Sequence, residues 1–425
     1  MGAAPDIEIH EKDRRSLGCG PLTLPAGPAG RPLRQQAFEH IRANGLISRA
    51  DVAKDLGVSP GSVTAVVAEL IDLGMIQEHP RPRRSADSGR GRPPVALGVR
   101  PGAGAVAGLK LSDRAHSAVV IDASGRRLGE AVIEAEPGRH RVETLIDGAE
   151  AALKMALEQA GLAATDLAAT GLGLPGVVAH EAGRVLWSPL MHERDVPFAE
   201  QLADRIGGLV CIDNDANLVT LAELWFGAGR HMSDFAVVTI EHGVGMGLVL
   251  NHRLFRGAQG LGMELGHTKV QPDGALCRCG QRGCLEAYVA DYALVREAST
   301  ALNWPDAGLR STPVILESLY AHAKAGNSEA RAIFGRAGRY LSIGLANVVN
   351  LFDPGLILLS GERMQYDYLY AEEVLAEMTA LTLTHGRNDP KVEIHAWGDL
   401  LWAQGAAALA LDMATPILLN GGAVR

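Results

Sequence analysis

Apolar residues recur every three or four positions between residues 31 and 76, and this spacing predicts three short amphipathic helices. Their inward-facing residues are Leu33, Ala37, Phe38 and Ile41 in the first helix, Val52, Ala53 and Leu56 in the second, and Val63, Val66, Val67 and Leu70 in the third. Ser48 and Ser59 precede the second and third helices, where a hydroxyl can cap free backbone N–H groups. With a short turn at Gly57, the pattern predicts a helix-turn-helix module, and residues 75–78 predict the first strand of a wing.

From residue 101 onward, strand patterns alternate with helical ones. The predicted strands are residues 103–111, 117–121, 128–133, 167–174, 209–213, 235–241, 246–250 and 356–359, and the predicted helices are residues 142–162, 216–226, 290–301, 314–325 and 330–351. Successive strands followed by strand–helix alternation occur twice. We therefore expect residues 101–425 to form two similar α/β lobes with a cleft between them and a boundary near residue 226.

Two segments lack a regular period. Residues 1–30 are charged at first and then rich in Gly and Pro, which predicts a disordered N-terminal arm. Residues 81–100 form a linker and wing rich in Arg, Pro and Gly, whose prolines and glycines favour an extended backbone. The domain of residues 31–80 is thus expected to be separate from the body of residues 101–425.

The net charge of −9 is unevenly distributed along the chain. Residues 31–100 contain 11 Lys and Arg against 7 Asp and Glu, whereas residues 101–425 carry −12. A basic segment joined to an acidic body indicates that only the segment meets a polyanion. We find no run of about 18 apolar residues and no basic-then-apolar leader, so we expect no membrane span and a cytoplasmic location.

The third helix and the linker are the candidate DNA-binding surface. The exposed start of the helix offers Ser59, Ser62, Thr64 and Ala65, which are small enough to approach bases and phosphates. In the linker, an extended Arg90-Gly-Arg92-Pro segment suits a narrow minor groove, where the negative potential is greatest. The alternatives are a small packing or protein-interaction module and a solvated linker, because turn chemistry and apolar spacing alone do not require DNA.

One histidine and three cysteines form a candidate metal site. His267 is followed by Cys277, Cys279 and Cys284, which leaves Cys19 and Cys211 as isolated thiols. One imidazole and three thiolates make a closed tetrahedral shell, which suits a structural Zn²⁺. Disulfide pairing is the alternative, but the cysteine count is odd. Glu264 and Glu286 flank the shell, so the metal would hold a loop that carries two carboxylates.

A second polar cluster lies where a predicted strand ends and a helix begins, at residues 211–217. This is the edge of an open α/β sheet that usually faces ligands. Asn214 can donate and accept hydrogen bonds and Asp215 can accept two, and both suit vicinal sugar hydroxyls. Helix capping is the alternative explanation for part of the cluster.

These residues also carry a resemblance to a known family. Glu264-x-x-His267 followed by Cys277-x-Cys279-Gly280-x-x-Gly283-Cys284-x-Glu286 resembles the signature of the ROK family of repressors, open reading frames and sugar kinases. The resemblance extends over about residues 101–425 and implies an actin-like, ribonuclease-H-like sugar kinase fold. Residues 31–94 resemble the winged helix-turn-helix half of ROK repressors, which the family's kinases lack.

The resemblance also implies roles for individual residues. Asn214 and Asp215 match the family's sugar-binding Asn-Asp pair, whose aspartate is the catalytic base in kinases. Glu264, His267 and Glu286 match sugar-contacting residues, and Gly176 is carried over from Leu174-Pro175-Gly176.

The nucleotide-binding loops of the family's kinases are not matched. Their Asp-x-Gly-Gly-Thr loop is replaced by residues 110–114, Lys-Leu-Ser-Asp-Arg, and their Gly-Thr-Gly loop by Glu241-His242-Gly243. Ser360-Gly361-Glu362 replaces a glycine-rich stretch near adenosine. Glycine-rich loops cradle phosphates, and a carboxylate in their place repels a triphosphate.

Together these observations predict a sugar- or sugar-phosphate-responsive transcriptional regulator, most simply a repressor that binds operator DNA as a homodimer or homotetramer. The first alternative is an ATP-dependent sugar kinase with a DNA-binding appendage, in which Asp215 is catalytic. The second is an interaction protein whose sugar site is defunct.

Overall fold

The N-terminal domain has the three predicted helices and a small sheet. The computed structural model describes residues 18–22, 31–80, 95–302, 311–367, 372–383, 386, 390–395, 398 and 400–421. The helices are α1 (Leu33–Asn44), α2 (Arg49–Leu56) and α3 (Pro60–Asp72), and the strands are β1 (Ile47–Ser48), β2 (Ile76–Pro80) and β3 (Val95–Val99). The sheet is antiparallel in the order β1-β3-β2, so β2 and β3 form the two strands of a wing.

The predicted caps of this domain are present. Ser48 Oγ accepts from Asp51 N (3.2 Å), Ser59 Oγ accepts from Ser62 N (3.1 Å), and Gly57 ends α2 in the left-handed conformation. The predicted apolar stripe of α3 is buried at Val63, Val67 and Leu70, whereas Val66 is only half-buried. The linker arginines Arg90 and Arg92 lie outside the described residues.

The first lobe is a five-stranded mixed sheet in the order β10-β7-β4-β5-β6. Its elements, with a small β8–β9 hairpin, are β4 (Ala105–Leu111), β5 (Ala115–Asp122), β6 (Arg127–Glu134), α4 (Val142–Ala160), β7 (Leu167–Leu174), β8 (Val177–Ala179), β9 (Arg184–Trp187), α5 (Phe198–Ile206), β10 (Val210–Asn214) and α6 (Asp215–Phe226). Helices α4 and α5 pack with the sheet in one hydrophobic core.

The second lobe repeats this plan, with a sheet in the order β13-β12-β11-β14-β15. Its elements are β11 (Phe235–Ile240), β12 (Val244–Leu250), β13 (Arg253–Phe255), α7 (Glu286–Val289), α8 (Asp291–Ala301), α9 (Thr312–Lys324), α10 (Ser328–Phe352), β14 (Leu356–Ser360), α11 (Glu372–Leu381) and β15 (Lys391–His395). The two lobes share a core built around α6 and a last helix, α12 (Leu401–Leu419).

Helix α12 returns from the second lobe to the sheet of the first. A Cβ atom at Gly108 of β4 would lie 2.0 Å from Ala403 O, and one at Gly171 of β7 would lie 2.0 Å from Ala406 O. These glycines let the helix backbone touch the sheet. The first lobe therefore includes the C-terminal helix, and the sequence boundary near residue 226 does not separate the lobes completely.

By length and composition alone, α12 could also cross a membrane, although its 19 residues include Gln404 and Asp412 and are not a continuous apolar run. Its apolar window is 67% buried within the protein, and its partners are β4, β7 and α6. These contacts are those of a core helix.

The N-terminal arm is another departure from expectation. Residues 18–22 are packed between α1 and the C-terminal end of α6, and Cys19 is buried. Their Gly-rich sequence predicts disorder, yet here glycine allows close approach, since a Cβ at Gly18 would lie 1.7 Å from Arg42 O.

Candidate functional site

The end of β10 and the end of β7 bring the predicted sugar-binding residues to one sheet edge. The two strands are parallel, and Asn214 pairs in register with Leu174. Gly176 follows two residues later with φ of +128°, where a Cβ would lie 2.2 Å from Trp187 O. Only glycine fits at position 176, because the backbone of Trp187 lies where a side chain would begin, close to the strand end that carries Asn214.

Asn214 caps α6, so the capping explanation is correct for this residue. Its Oδ1 accepts from Asn217 N (2.8 Å), which leaves the Nδ2 amide as the group that can reach a ligand. Beneath it, Asp213 is buried and accepts hydrogen bonds from Asn217 Nδ2 (2.8 Å) and Arg256 Nε (2.8 Å). Asp213 therefore fixes the position of the strand end.

The carboxylates of Asp215 and Glu264 are only partly shielded from water, since Asp215 is half-buried and half of the Glu264 side chain is exposed. Burial raises the pKa of Asp215 above its usual range, although the charge of Lys110 opposes this shift. Burial also raises the pKa of Glu264, and the negative charges of Asp215 and Glu286 raise it further. Asp215 begins α6 of the first lobe and Glu264 lies after β13 of the second, close enough for their charges to interact.

The predicted metal shell is brought together. The ligand atoms of His267, Cys277, Cys279 and Cys284 all lie within 4.8 Å of one another. Cys279 Sγ is 3.7 Å from Cys284 Sγ, and His267 Nδ1 is 3.8 Å from Cys277 Sγ. A tetrahedral ion with metal–sulfur bonds of about 2.3 Å requires sulfurs about 3.8 Å apart. All five cysteines are free, so the residues fit a metal ion rather than disulfides.

The loop that carries this shell folds tightly at glycines. Gly280 and Gly283 have φ of +87° and +77°, and a Cβ at Gly283 would lie 2.0 Å from Gln271 O. Lys269 Nζ donates to Cys284 Sγ (3.0 Å), and its charge would offset part of the negative charge of three metal-bound thiolates. No sequence motif marks Lys269.

Two of the predicted sugar-contacting residues are tied to the candidate metal shell, His267 as a member of it and Glu286 through Cys277. His267 turns Nδ1 toward Cys277, while its Nε2 lies 3.9 Å from Glu264 Oε2. Glu286 Oε1 is 3.5 Å from Cys277 Sγ, and its Oε2 accepts from Val244 N (3.4 Å). The metal loop and the predicted sugar-binding carboxylates therefore form one unit.

Two hairpin turns face each other elsewhere in the cleft. Asp113 lies in the β4–β5 turn of the first lobe and His242 in the β11–β12 turn of the second, with His242 Nε2 and Asp113 Oδ2 3.2 Å apart. The other ring nitrogen, Nδ1, lies 3.1 Å from Asp291 Oδ2, and Arg363 donates to both oxygens of Asp291 at 2.6 and 2.9 Å.

This chain of charges determines the protonation of its members. Hydrogen bonds to Asp113 and then Asp291 raise the pKa of His242 to about 10, so the imidazolium donates to both carboxylates. The hydrogen bond from His242 lowers the pKa of Asp113. Burial alone would raise the pKa of Asp291, but the hydrogen bonds from His242 and Arg363 outweigh it. Asp291 and Arg363 were missed because no sequence motif marks them.

The candidate DNA-facing residues of α3 lie at its exposed start. Ser59, Ser62, Thr64 and Ala65 are all exposed. Thr64 Oγ1 donates to Pro60 O (2.8 Å), and the Ser59 and Ser62 hydroxyls are 2.9 Å apart. The hydroxyls therefore have local partners that DNA contacts would have to replace or share.

Comparison with known protein families matches both halves of the chain. The profile of the ROK family matches residues 107–413, which is most of the chain. The chain belongs to the ROK family. A profile described as "Winged helix-turn-helix DNA-binding" matches residues 32–77, so ROK body and DNA-binding-type domain occur in one chain.

Relatives of this ROK protein include both regulators and kinases. The xylose repressor of Caldicellulosiruptor bescii is 25% identical over 88% of this chain and 93% of its own length. A ROK family transcriptional regulator described as a homolog of the E. coli Mlc protein superimposes with a TM-score of 0.73 at 27% identity, over 91% of this chain and 96% of its own. The ROK hexokinase of Thermus thermophilus gives a TM-score of 0.63 at 32% identity, over 72% of this chain and 97% of its own. The expected actin-like sugar kinase fold, preceded by a winged helix-turn-helix domain, is confirmed.

Proposed function

We propose that this ROK protein is a transcriptional regulator, most simply a repressor, that binds operator DNA through residues 31–94 and a sugar or sugar phosphate through its cleft. The observation that carries the proposal is the contrast within that cleft. The edge around Asp215 and Glu264 presents hydrogen-bonding groups to the space between the lobes. The facing hairpin turns are joined to each other by an ion pair.

Sugar recognition follows from the types of group at the first edge. Asn214 Nδ2 donates, and the carboxylates of Asp215, Glu264 and Glu286 accept, so adjacent sugar hydroxyls can each find a partner. His267 adds its Nε2 from the metal loop. Gly176 lies beside Asn214 and contributes backbone without a side chain that would fill the space.

We propose Zn²⁺ as the metal, held by His267, Cys277, Cys279 and Cys284. Three thiolates and one imidazole are the ligand set of a structural zinc site, and the ion supplies rigidity and no reactive position. Its effect on the ligand is indirect, since it fixes His267 and supports the adjacent carboxylates Glu264 and Glu286.

Nucleotide binding is disfavoured by the other edge. Phosphoryl transfer needs backbone N–H groups and cations directed at phosphates, but the β4–β5 turn carries Asp113 and the β11–β12 turn begins with Glu241. The cation available between them, His242, already bonds two carboxylates. A triphosphate would have to break this ion chain and then face its carboxylates.

A sugar kinase is the second candidate function, because the hexokinase shares the fold and Asp215 has a raised pKa. A carboxylate whose pKa is shifted toward neutrality is suited to accept a proton from a sugar hydroxyl. A phosphorylation assay with aldoses and amino sugars decides between the candidates. Turnover that requires ATP and disappears in Asp215→Asn would favour the kinase.

The DNA-binding half is tested through its salt dependence. The linker arginines are expected to contact phosphates and the minor groove, so the double variant Arg90→Ala/Arg92→Ala should weaken binding to a selected duplex and flatten the slope of log K against log salt by about two. Unchanged affinity and slope would show that the linker is only a tether. We further propose that the protein is cytoplasmic and binds half-sites as a homodimer or homotetramer.

The whole proposal is tested by one binding series. A duplex selected from a random library by the full-length protein is titrated with and without xylose, glucose, N-acetylglucosamine and the phosphates of the latter two. At least one sugar should change the duplex Kd by fivefold or more, within the usual range of about 5- to 150-fold for coupled sites. No affinity for any duplex would contradict the regulator.

A further inference from the structure

Helix α6 connects the proposed sugar site to the DNA-binding domain. Its first residue is Asp215, and its last residues, Trp225 and Phe226, reach the surface on which the N-terminal domain sits. The helix has 12 residues and therefore spans about 18 Å. It is buried over almost its whole length, so a displacement at one end cannot be absorbed by loose packing.

At the far end of α6, an arginine from the DNA-binding domain inserts into the body. Arg42 of α1 is only 2% exposed. Its guanidinium lies 4.5 Å from the Trp225 ring centroid, and its Nη1 donates to Thr415 Oγ1 of α12 (2.8 Å). Helices α12 and α6 touch through their backbones, since a Cβ at Gly405 would lie 1.9 Å from Leu218 O.

A second buried arginine makes the reciprocal contact. Arg230 follows α6 in the body and donates from Nε to Gly20 O (3.0 Å) and from Nη2 to Ala43 O at the end of α1. Residues 18–22, which we call the strap, complete the junction. Strap backbone N–H groups donate to three carbonyls, from Cys19 to Arg42 (3.1 Å), from Gly20 to Trp225 (2.9 Å) and from Leu22 to Arg230 (2.9 Å).

The junction is polar and incompletely filled, unlike an apolar core. A cavity of about 340 Å³ lies between α1, α6, α12 and the strap, with Arg42 and Trp225 in its wall. The buried Nε of Arg42 has no hydrogen-bond partner among the described residues. Directional contacts beside unfilled space can exchange partners with a small movement, whereas a close-packed apolar interface resists it.

We propose that Arg42, Trp225 and Arg230 are positioning residues that carry the effect of sugar binding along α6 to the DNA-binding domain. The inference rests on the proposed function and names its mechanism. A ligand held by Asn214 and Asp215 shifts the N-terminal end of α6 relative to the second lobe. The other end then changes its contact with Arg42 and the strap, and this reorients α1 and the helix-turn-helix.

The test compares two threonine-to-valine variants of matched chemistry. Thr415→Val removes the acceptor for Arg42 and keeps the shape of the side chain. The Thr415 hydroxyl also donates to the carbonyl four residues earlier, Leu411 O (2.6 Å). Thr382→Val is the control, because the Thr382 hydroxyl makes the same kind of bond to Met378 O (2.9 Å) but lies in the second lobe, away from Arg42. Arg42→Met removes the cation and keeps the stem. For each protein we would measure the Kd for the sugar, the Kd for the selected duplex, and the ratio of duplex Kd values with and without saturating sugar.

We expect the variants to change the ratio of duplex Kd values with and without sugar and to leave the sugar Kd nearly unchanged. Thr415→Val should bring the ratio of duplex Kd values about fivefold closer to one, as expected for loss of a buried charge-assisted hydrogen bond. Arg42→Met should bring this ratio at least as close to one. The sugar Kd should change less than twofold in both variants. Thr382→Val should match the wild type. Wild-type ratios in both Thr415→Val and Arg42→Met would overturn the inference and leave the proposed function intact. A wild-type ratio of one would instead contradict the proposed function, and the inference with it.

Discussion

The two polar edges of the cleft contain the same kinds of side chain and differ in what those side chains contact. At the edge beside the candidate metal loop, Asp215 and Glu264 have raised pKa values because partial burial disfavours their charged forms. At the hairpin edge, Asp113 and Asp291 have lowered pKa values because His242 and Arg363 bond to them.

This difference shows which edge is prepared for a ligand. Carboxylates that are partly desolvated gain from hydroxyl donors, so a sugar improves their environment. Carboxylates that already hold cations would lose those bonds to a ligand. We therefore propose the first edge as the binding site, whereas the second edge makes an internal contact between the lobes.

The largest effect is expected from removing the metal brace. Cys279→Ser should release the zinc and weaken sugar binding by about 100-fold, because His267 and the adjacent carboxylates lose their fixed positions. Metal content by atomic absorption and sugar Kd by calorimetry are the measurements. Cys211→Ala, which alters an isolated thiol, should keep its zinc; a Cys279→Ser protein that also keeps its metal would refute the shell.

Neutralising a carboxylate at the same edge should have the next largest effect. Glu264→Gln replaces one acceptor oxygen with a donor and should weaken sugar binding by about 10- to 30-fold, close to the loss of one charged hydrogen bond. Glu130→Gln on the surface of β6 is the control and should leave the Kd unchanged. Equal affinities of Glu264→Gln and the wild type would remove Glu264 from the site.

The raised pKa values predict how sugar binding depends on pH. The ionised carboxylates accept hydrogen bonds from the sugar, so affinity should fall on acidification as Asp215 and Glu264 take up protons. Because burial raises both pKa values, this loss should begin above the ordinary carboxylate range. A profile with its midpoint below the ordinary values of about 3.9 for Asp and 4.3 for Glu would contradict the reduced hydration of this edge.

The smallest effect is expected at the hairpin edge. Half of the His242 side chain is exposed, so solvent screens its pairing with Asp113. His242→Gln and Asp113→Asn should each weaken sugar binding by about three- to fivefold through easier opening of the lobes, and the double variant should be no weaker than either single variant. Additive losses would show that the two residues act separately.

The contribution of His242 should fall as pH rises through neutrality. Its folded pKa of about 10 lies above the unfolded value, so its stabilising contribution is complete below the unfolded pKa and lost as pH rises through about 10. The melting temperatures of the wild type and His242→Gln should therefore differ by a constant amount between about pH 4.5 and 5.5, and by a shrinking amount above about pH 6.5. A difference that vanishes as pH falls from about 6.5 to 4.5 would contradict the pairing.

Local chemistry was predictable from the sequence, and contacts between distant segments were not. Ser48, Ser59 and Gly57 act within one turn of chain, and the four candidate metal ligands lie within 18 positions, so both patterns are visible in the sequence. Helix α12 was missed because an alanine-rich buried helix has no polar face to give it a period. The packing of residues 18–22 depends on Arg42, Trp225 and Arg230, none of which is near them in sequence.

The same difference between local motifs and contacts of distant segments decides which residues of the candidate site could be predicted. Asn214, Asp215 and the Glu264–Glu286 loop could be named because each lies in a short motif. Asp291 and Arg363 could not, since their pairing joins the start of α8 to the residues after β14. The structure shows that Asp291, held by Arg363, contacts His242 in the β11–β12 turn, one of the two turns that do not match the kinases' nucleotide loops.

The most direct test of this account is a calorimetric titration of MgATP into the sugar-saturated protein, with the product analysed for sugar phosphate. We expect no saturable heat and no phosphorylated sugar, because carboxylates and their paired cations occupy the two turns that we propose in place of the kinases' nucleotide loops. Saturable MgATP binding with phosphate transfer that is lost in Asp215→Asn would contradict it.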